Sequence, residues 1–183
     1  MSSWISKNAY LSRDEMENNA LIIWSYFGGV KGWTRNAVAA LLANMQSEST
    51  INPGIWEGLE PYAGGYGLVQ WTPYTKYSNW AGVGWQGNGS KQMERIIYEM
   101  NNNIQWIATA QYPMTFKAFS KSIDTPENLA YAFMYNYERP ASLDQPQRRA
   151  NARVWYEFLD GKPFDPVKPG GKITIWMLFK FGR

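Results

Sequence analysis

The sequence contains neither cysteine nor histidine. Without cysteine there is no disulfide, no thiol nucleophile and no thiolate-held metal. Without histidine, Ser-His-Asp and Cys-His catalysis and imidazole zinc sites are excluded. Acid–base chemistry near neutrality then falls to carboxyl groups, tyrosine or lysine, and no metal or other cofactor is expected. Long apolar runs are missing too. Nothing approaches the roughly 18–20 residues of a membrane span, and Met1–Asn19 lacks the apolar core of a secretory signal. The expectation is a chain made in a cytoplasm that reaches any external substrate by another route. Charge of one sign is scarce: 18 Lys and Arg against 15 Asp and Glu leave +3. That is too little to argue for nucleic acid, though it suits an anionic partner such as a bacterial wall.

Aromatic residues are abundant, at 16% of 183 residues with ten Trp and twelve Tyr. Part of that excess is core. The rest fits carbohydrate, because the C–H faces of a sugar ring pack on aromatic planes. The length suits one domain with a sizeable core.

Helix signals dominate. Ser12-Arg13-Asp14-Glu15 is a capping box, predicting a helix to about Phe27 that Gly28-Gly29 stops. Thr34 caps a second helix with Val38, Leu41, Leu42 and Met45 on one stripe. Ser90 opens a long helix to about Gln111, expected at the centre of the core. Thr115–Lys121 is a short helix. Thr125 caps the next, with Pro126 in its first turn and Leu129, Ala132, Phe133 and Tyr137 on its stripe. Asp144–Leu159 is the last. Ile51–Pro73, rich in Gly and Pro, predicts an irregular loop and a short strand or hairpin over Gly65–Trp71, followed by an aromatic loop over Tyr74–Gly89. The expected architecture is mainly α with a small β-hairpin element. It forms a single domain over 1–161, with a C-terminal tail or docking segment over 162–183.

Glu48 is the residue around which this pattern is organised. One further step of the second helix's stripe beyond Met45 lands on it, just where Pro53-Gly54 rules out more helix. A half-buried carboxyl resists ionisation, as a general acid near neutral pH requires. Downstream, the glycines around Tyr66 let backbone approach a ligand closely, and Gln70 offers both a donor and an acceptor. A hairpin turn alone explains the glycines, and a helix-end charge alone explains Glu48.

Together they resemble something more specific. Glu-Ser at a helix end followed by G-x-G-L-[MV]-Q resembles the lysozyme and lytic-transglycosylase superfamily, including the goose-type lysozymes. More narrowly, NMQSESTINPGIW, GYGLVQWTP, EMNNNIQW at Glu99–Trp106 and YERP at Tyr137–Pro140 resemble the phage tail lysozyme family. The similarity runs from about Asn19 to Leu159. It implies a lysozyme-like α+β fold and cleavage of the β-1,4 bond between N-acetylmuramic acid and N-acetylglucosamine. Glu48 would be the catalytic acid. Its partners would be peptidoglycan glycan strands and other phage tail proteins, its place the virion, with no nucleic acid and no membrane span. Glu60 is the second carboxylate expected from its place in the loop, with Glu57 next. Failing both, Gln70 and Thr72 would hold water instead, and the alternative of a non-hydrolytic, anhydro product of the transglycosylase type would be open. Gln70, Tyr66, Gly67, Trp71, Thr72 and Tyr137 are expected to meet substrate. Glu138 and Arg139 are expected to pair with each other. A host-lysis endolysin, a chitinase and a catalytically silent wall-binding module are the other readings.

Overall fold

A computed structural model describes residues 3–164. Among them are seven α-helices: α1 (Arg13–Trp24), α2 (Arg35–Ser49), α3 (Thr75–Ala81), α4 (Gly89–Asn102), α5 (Phe116–Lys121), α6 (Pro126–Phe133) and α7 (Pro146–Phe158). Single turns of π-helix extend α1 over Ser25–Val30 and α6 over Met134–Glu138. The expected caps form. Ser12 and Glu15 close their box reciprocally, and Thr34, Thr115 and Thr125 each accept from the third backbone N–H of their helix.

The centre of the core is α2, not the helix starting near Ser90. Every residue from Ala37 to Met45 is buried, because α6, α7, α1 and α5 all pack around it. Four alanines and two leucines keep that helix thin enough for close neighbours on all sides. α4 is a one-sided helix at the edge, and it starts and stops earlier than the spacing predicts. Its cap is Asn88, not Ser90, and it ends at Asn102 because Asn103 turns left-handed at φ 53°. Ile107, inside the span expected to be helical and central, is exposed and lies beyond the helix.

No strand forms among the described residues, which corrects the expected hairpin. Two isolated antiparallel bridges, Trp56–Tyr66 and Tyr66–Trp71, stand in its place. Gly67 and Gln70 both take positive φ, 78° and 47°. The chain folds back within four residues, with the Gln70 N–H donating to Gly67 O, before a ladder can grow. The loop expected over Tyr74–Gly89 contains α3, whose seven residues carry too short a pattern to read. At the other end, Trp24 Nε1 donates to Lys162 O and the Trp24 ring meets Phe164 at 4.8 Å. Described chain thus packs onto α1 beyond 161, while the rest of the 162–183 segment, from 165 on, lies outside the described residues. Among the described residues no helix is long and apolar enough to cross a membrane.

Candidate functional site

Glu48 sits in the last turn of α2, where the buried stripe reaches the surface. The helix is stopped abruptly: Thr50 and Ile51 are both left-handed, at φ 52° and 57°. The Ser49 hydroxyl lies 2.9 Å from Leu68 O, tying the helix end to the Gly67 turn. Gln92 of α4 clamps both loops, accepting from Leu68 N–H at 2.8 Å and donating to Pro53 O at 2.7 Å. Asn52 and Asn8 do the same for the N-terminal lead. Asn52 donates to Lys7 O and Ala9 O, both at 2.7 Å, and Asn8 accepts from Trp56 N–H at 3.0 Å.

Between these loops and the end of α6 lies a cleft of about 630 Å³ with Glu48 in its wall. Gln70, Trp71, Thr72 and Tyr137 also line it, so four of the six expected substrate contacts are brought together. Tyr66 and Gly67 are not. The Tyr66 ring is buried, with its hydroxyl accepting from Gly87 N–H at 2.6 Å. Gly67 lies against Gln92, whose Oε1 is 2.5 Å from where a Cβ would stand. Both support the wall from behind.

Nor does the structure bring Glu60 to Glu48. Glu60 is exposed and directly follows a 3₁₀ turn in which Gly58 and Leu59 take positive φ; Glu57 and Gly58 of that turn line the cleft and Glu60 does not. Glu57 does line the cleft, but its Oε2 accepts from Gly65 N–H at 2.7 Å and so holds the loop closed.

The floor is a buried charge cluster. Arg148 of α7 is held at three points: Nε donates to Gln145 Oε1 at 2.6 Å, Nη1 to Asn44 Oδ1 at 2.7 Å and Nη2 to Glu48 Oε1 at 2.5 Å. The Arg148 side chain is 5% exposed and that of Glu48 21%. Glu48 is therefore half-buried as expected, but ion-paired. Deeper, Glu99 accepts from Arg95 Nε at 2.8 Å, Trp71 Nε1 at 3.0 Å and the Tyr137 hydroxyl at 2.5 Å. Tyr137 thus serves Glu99; Glu48's charged partner is Arg148. Burial pushes the Glu99 carboxyl up, against the pull of Tyr137, Arg95 and Trp71. Burial and the Glu99 charge push the Tyr137 hydroxyl well up.

Glu138 completes the cluster, contrary to the pairing expected from the sequence. It does not pair with Arg139, whose Nη1 donates to the carbonyls of Gln105 and Asn136 at 2.6 and 2.7 Å. Glu138 lines the cleft, and its Oε1 is out of solvent with no hydrogen-bond partner. Burial first, then the negative charge of Glu48, holds its carboxyl well above the usual carboxylate range; Arg148 and Arg139 oppose this and Glu99 adds to it. Its place directly after Tyr137 in the YERP motif was the available signal. Arg148 carried none, since Asn44 and Glu48 lie a hundred or more residues away along the chain. No cluster of metal-ligating side chains occurs among the described residues.

Glu48, half-buried at a helix end, and Glu138 thus line one cleft together with the polar side chains of Gln70 and Thr72. Residues 18–159 match the family model of the phage tail lysozymes, and the chain belongs to that family. It is also 49% identical over 165 residues to Morphogenesis protein 1 of Bacillus phage B103. The alignment takes in 86% of this chain but 43% of the relative, so the chain spans less than half the length of that protein.

Proposed function

We propose that the protein cleaves the glycan strands of peptidoglycan at the β-1,4 bond between N-acetylmuramic acid and N-acetylglucosamine, as part of a phage tail that opens the wall. Membership of the phage tail lysozymes and the phage origin of the relative support the setting. The observation that carries the chemistry is Glu48, half-buried in the wall of a cleft open enough for a sugar chain. Glu48 delivers the proton to the glycosidic oxygen as the bond to C1 breaks. Gln70 and Thr72 line the same cleft and offer hydrogen-bonding groups to sugar hydroxyls or to water. Lys76 and Arg139, at its rim, suit the carboxylates of muramic acid side chains and stem peptides.

The test is incubation of the protein with purified peptidoglycan and mass analysis of the released fragments. New reducing ends, lost by roughly 100-fold or more in Glu48→Gln with unchanged wall binding, support the proposal. Parental clearing by Glu48→Gln removes Glu48 from it. A second reading is favoured by Glu60 lying outside the cleft while Glu57 is held by Gly65 N–H: a lytic transglycosylase, in which the sugar's own hydroxyl attacks. Anhydro-muramic ends in the same spectra identify it.

A further inference from the structure

The cleft contains a carboxyl that the proposed mechanism leaves unused. Glu138 leaves the π turn after α6 and faces the same space as Glu48. Its Oε1 has neither water access nor a hydrogen-bond donor, an unusual state for a buried oxygen. A structural carboxylate would be expected to sit among donors, as Glu99 does with Arg95, Trp71 and Tyr137. The charged groups facing Glu138 are Glu48 from α2, Arg148 from α7, Glu99 from α4 and its neighbour Arg139. Arg148 is committed to Glu48, Asn44 and Gln145. Arg139 donates to two carbonyls, and the Glu99 charge is met by Arg95. Neither guanidinium hydrogen-bonds Glu138 Oε1, and Arg148, the stronger of the two cationic influences on Glu138, is already bound to Glu48.

We propose that Glu138 is a second catalytic carboxyl of the cleft and that Glu48 and Glu138 work as a pair holding one proton between them. The inference rests on the glycan-cleaving reading of the same site. Through Glu48, the pair gives its proton to the leaving glycosidic oxygen, which keeps the electron pair of the broken C1–O bond. A water then adds its oxygen to C1 and passes a proton to Glu138, so the pair regains one proton and one water is consumed. Between the two steps both carboxyls are ionised, and Arg148 offsets part of that charge. Two like carboxyls sharing a site cannot both ionise easily, which keeps the proton available at neutral pH.

The experiment compares wild type, Glu138→Gln and Glu138→Asp on purified peptidoglycan across pH. Glu138→Gln is expected to lose roughly 100-fold or more in rate, with folding checked by near-ultraviolet circular dichroism. The alkaline limb of its pH profile should move to lower pH, because the carboxyl held well above the usual carboxylate range is gone from the pair. Glu138→Asp should retain part of the rate and keep the limb in place. A parental rate in Glu138→Gln, or a lower rate with an unmoved limb, overturns the proposal. The pairing is read separately, without substrate, by ¹³C titration of glutamate-labelled wild type and Glu48→Gln. A carboxyl titrating above the ordinary range that moves when Glu48 is neutralised supports it, even if Glu138→Gln fails to fold. Independent, ordinary titrations overturn it. If wild type releases no sugar fragments, the glycan-cleaving reading fails while this titration still decides the pairing.

Discussion

Arg148 reaches Glu48 across a hundred residues of chain, its Nη2 2.5 Å from Oε1, while its other nitrogens are fixed by Asn44 and Gln145. The ion pair joins α7 to the end of α2. It holds the Glu48 carboxyl at the cleft wall in one orientation.

Removing that cation leaves Glu48 and Asn44 without their donor. Breaking a buried pair from one side costs about 3–5 kcal/mol, and the remaining exposure of Glu48 puts Arg148→Met at about 2–3 kcal/mol once screening is allowed for. The loss is measured by urea unfolding. Adding Glu48→Gln should recover part of it, because the unpaired charge is then gone.

The wild type should lose stability relative to Glu138→Gln as pH rises. A carboxyl whose folded value lies above its ordinary 4.5 binds its proton more tightly in the native state. Its contribution is complete below the unfolded value and disappears as pH rises through the folded one. The difference in midpoint temperature between the two proteins should be small near pH 4 and widen in favour of Glu138→Gln toward pH 8. A constant difference would show that Glu138 titrates as an ordinary surface acid.

Tyr137→Phe removes one of three donors to Glu99. A hydrogen bond to a charged group is worth about 1.5–3 kcal/mol, so a loss in that range is expected in chemical denaturation. The Glu99 carboxyl should also move further up, since Tyr137 pulls it down. The ring remains stacked on Phe133, with centroids 4.6 Å apart, so packing is preserved and the hydroxyl alone is tested.

Gly67→Ala tests the turn behind the cleft. A side chain at φ 78° costs about 1–2 kcal/mol, and the new Cβ displaces Gln92, loosening its bonds to Leu68 and Pro53 at about 1 kcal/mol each. About 3 kcal/mol of destabilisation is expected, together with reduced wall clearing at temperatures where the fold persists.

Tyr10 lines the cleft and is 64% exposed. An aromatic platform of this kind is worth about 0.5–1.5 kcal/mol. Tyr10→Ala is therefore expected to raise KM for wall fragments about 2- to 12-fold with kcat nearly unchanged. An unaltered KM would leave Tyr10 as an idle surface ring.

Much of this arrangement can be read along the chain because its causes are local. Ser12, Thr34, Thr115 and Thr125 mark helix starts through bonds to residues three positions away. The stripe Val38, Leu41, Leu42, Met45 leads to Glu48 by simple periodicity. What escapes reading is non-local or depends on backbone handedness. Arg148 meets Glu48 only once α7 packs on α2. Glu138 was grouped with Arg139 by adjacency, yet consecutive residues at a helix end do not face each other. The expected strand fails because Gln70, a residue with a side chain, accepts a left-handed φ beside Gly67. Uniform burial removes the amphipathic contrast by which a central helix is recognised, leaving α2 less conspicuous than the one-sided α4.

The N-terminal lead is stitched through Asn52 and Asn8 to the loops that bound the cleft, and Ile5 exchanges hydrogen bonds with Asn19. These early residues precede the stretch that matches the family, yet they brace one lip of the groove. A version trimmed to the matched region would keep both glutamates and lose the strap that sets how wide the groove opens. Anyone transplanting this unit into another protein should carry those first residues along.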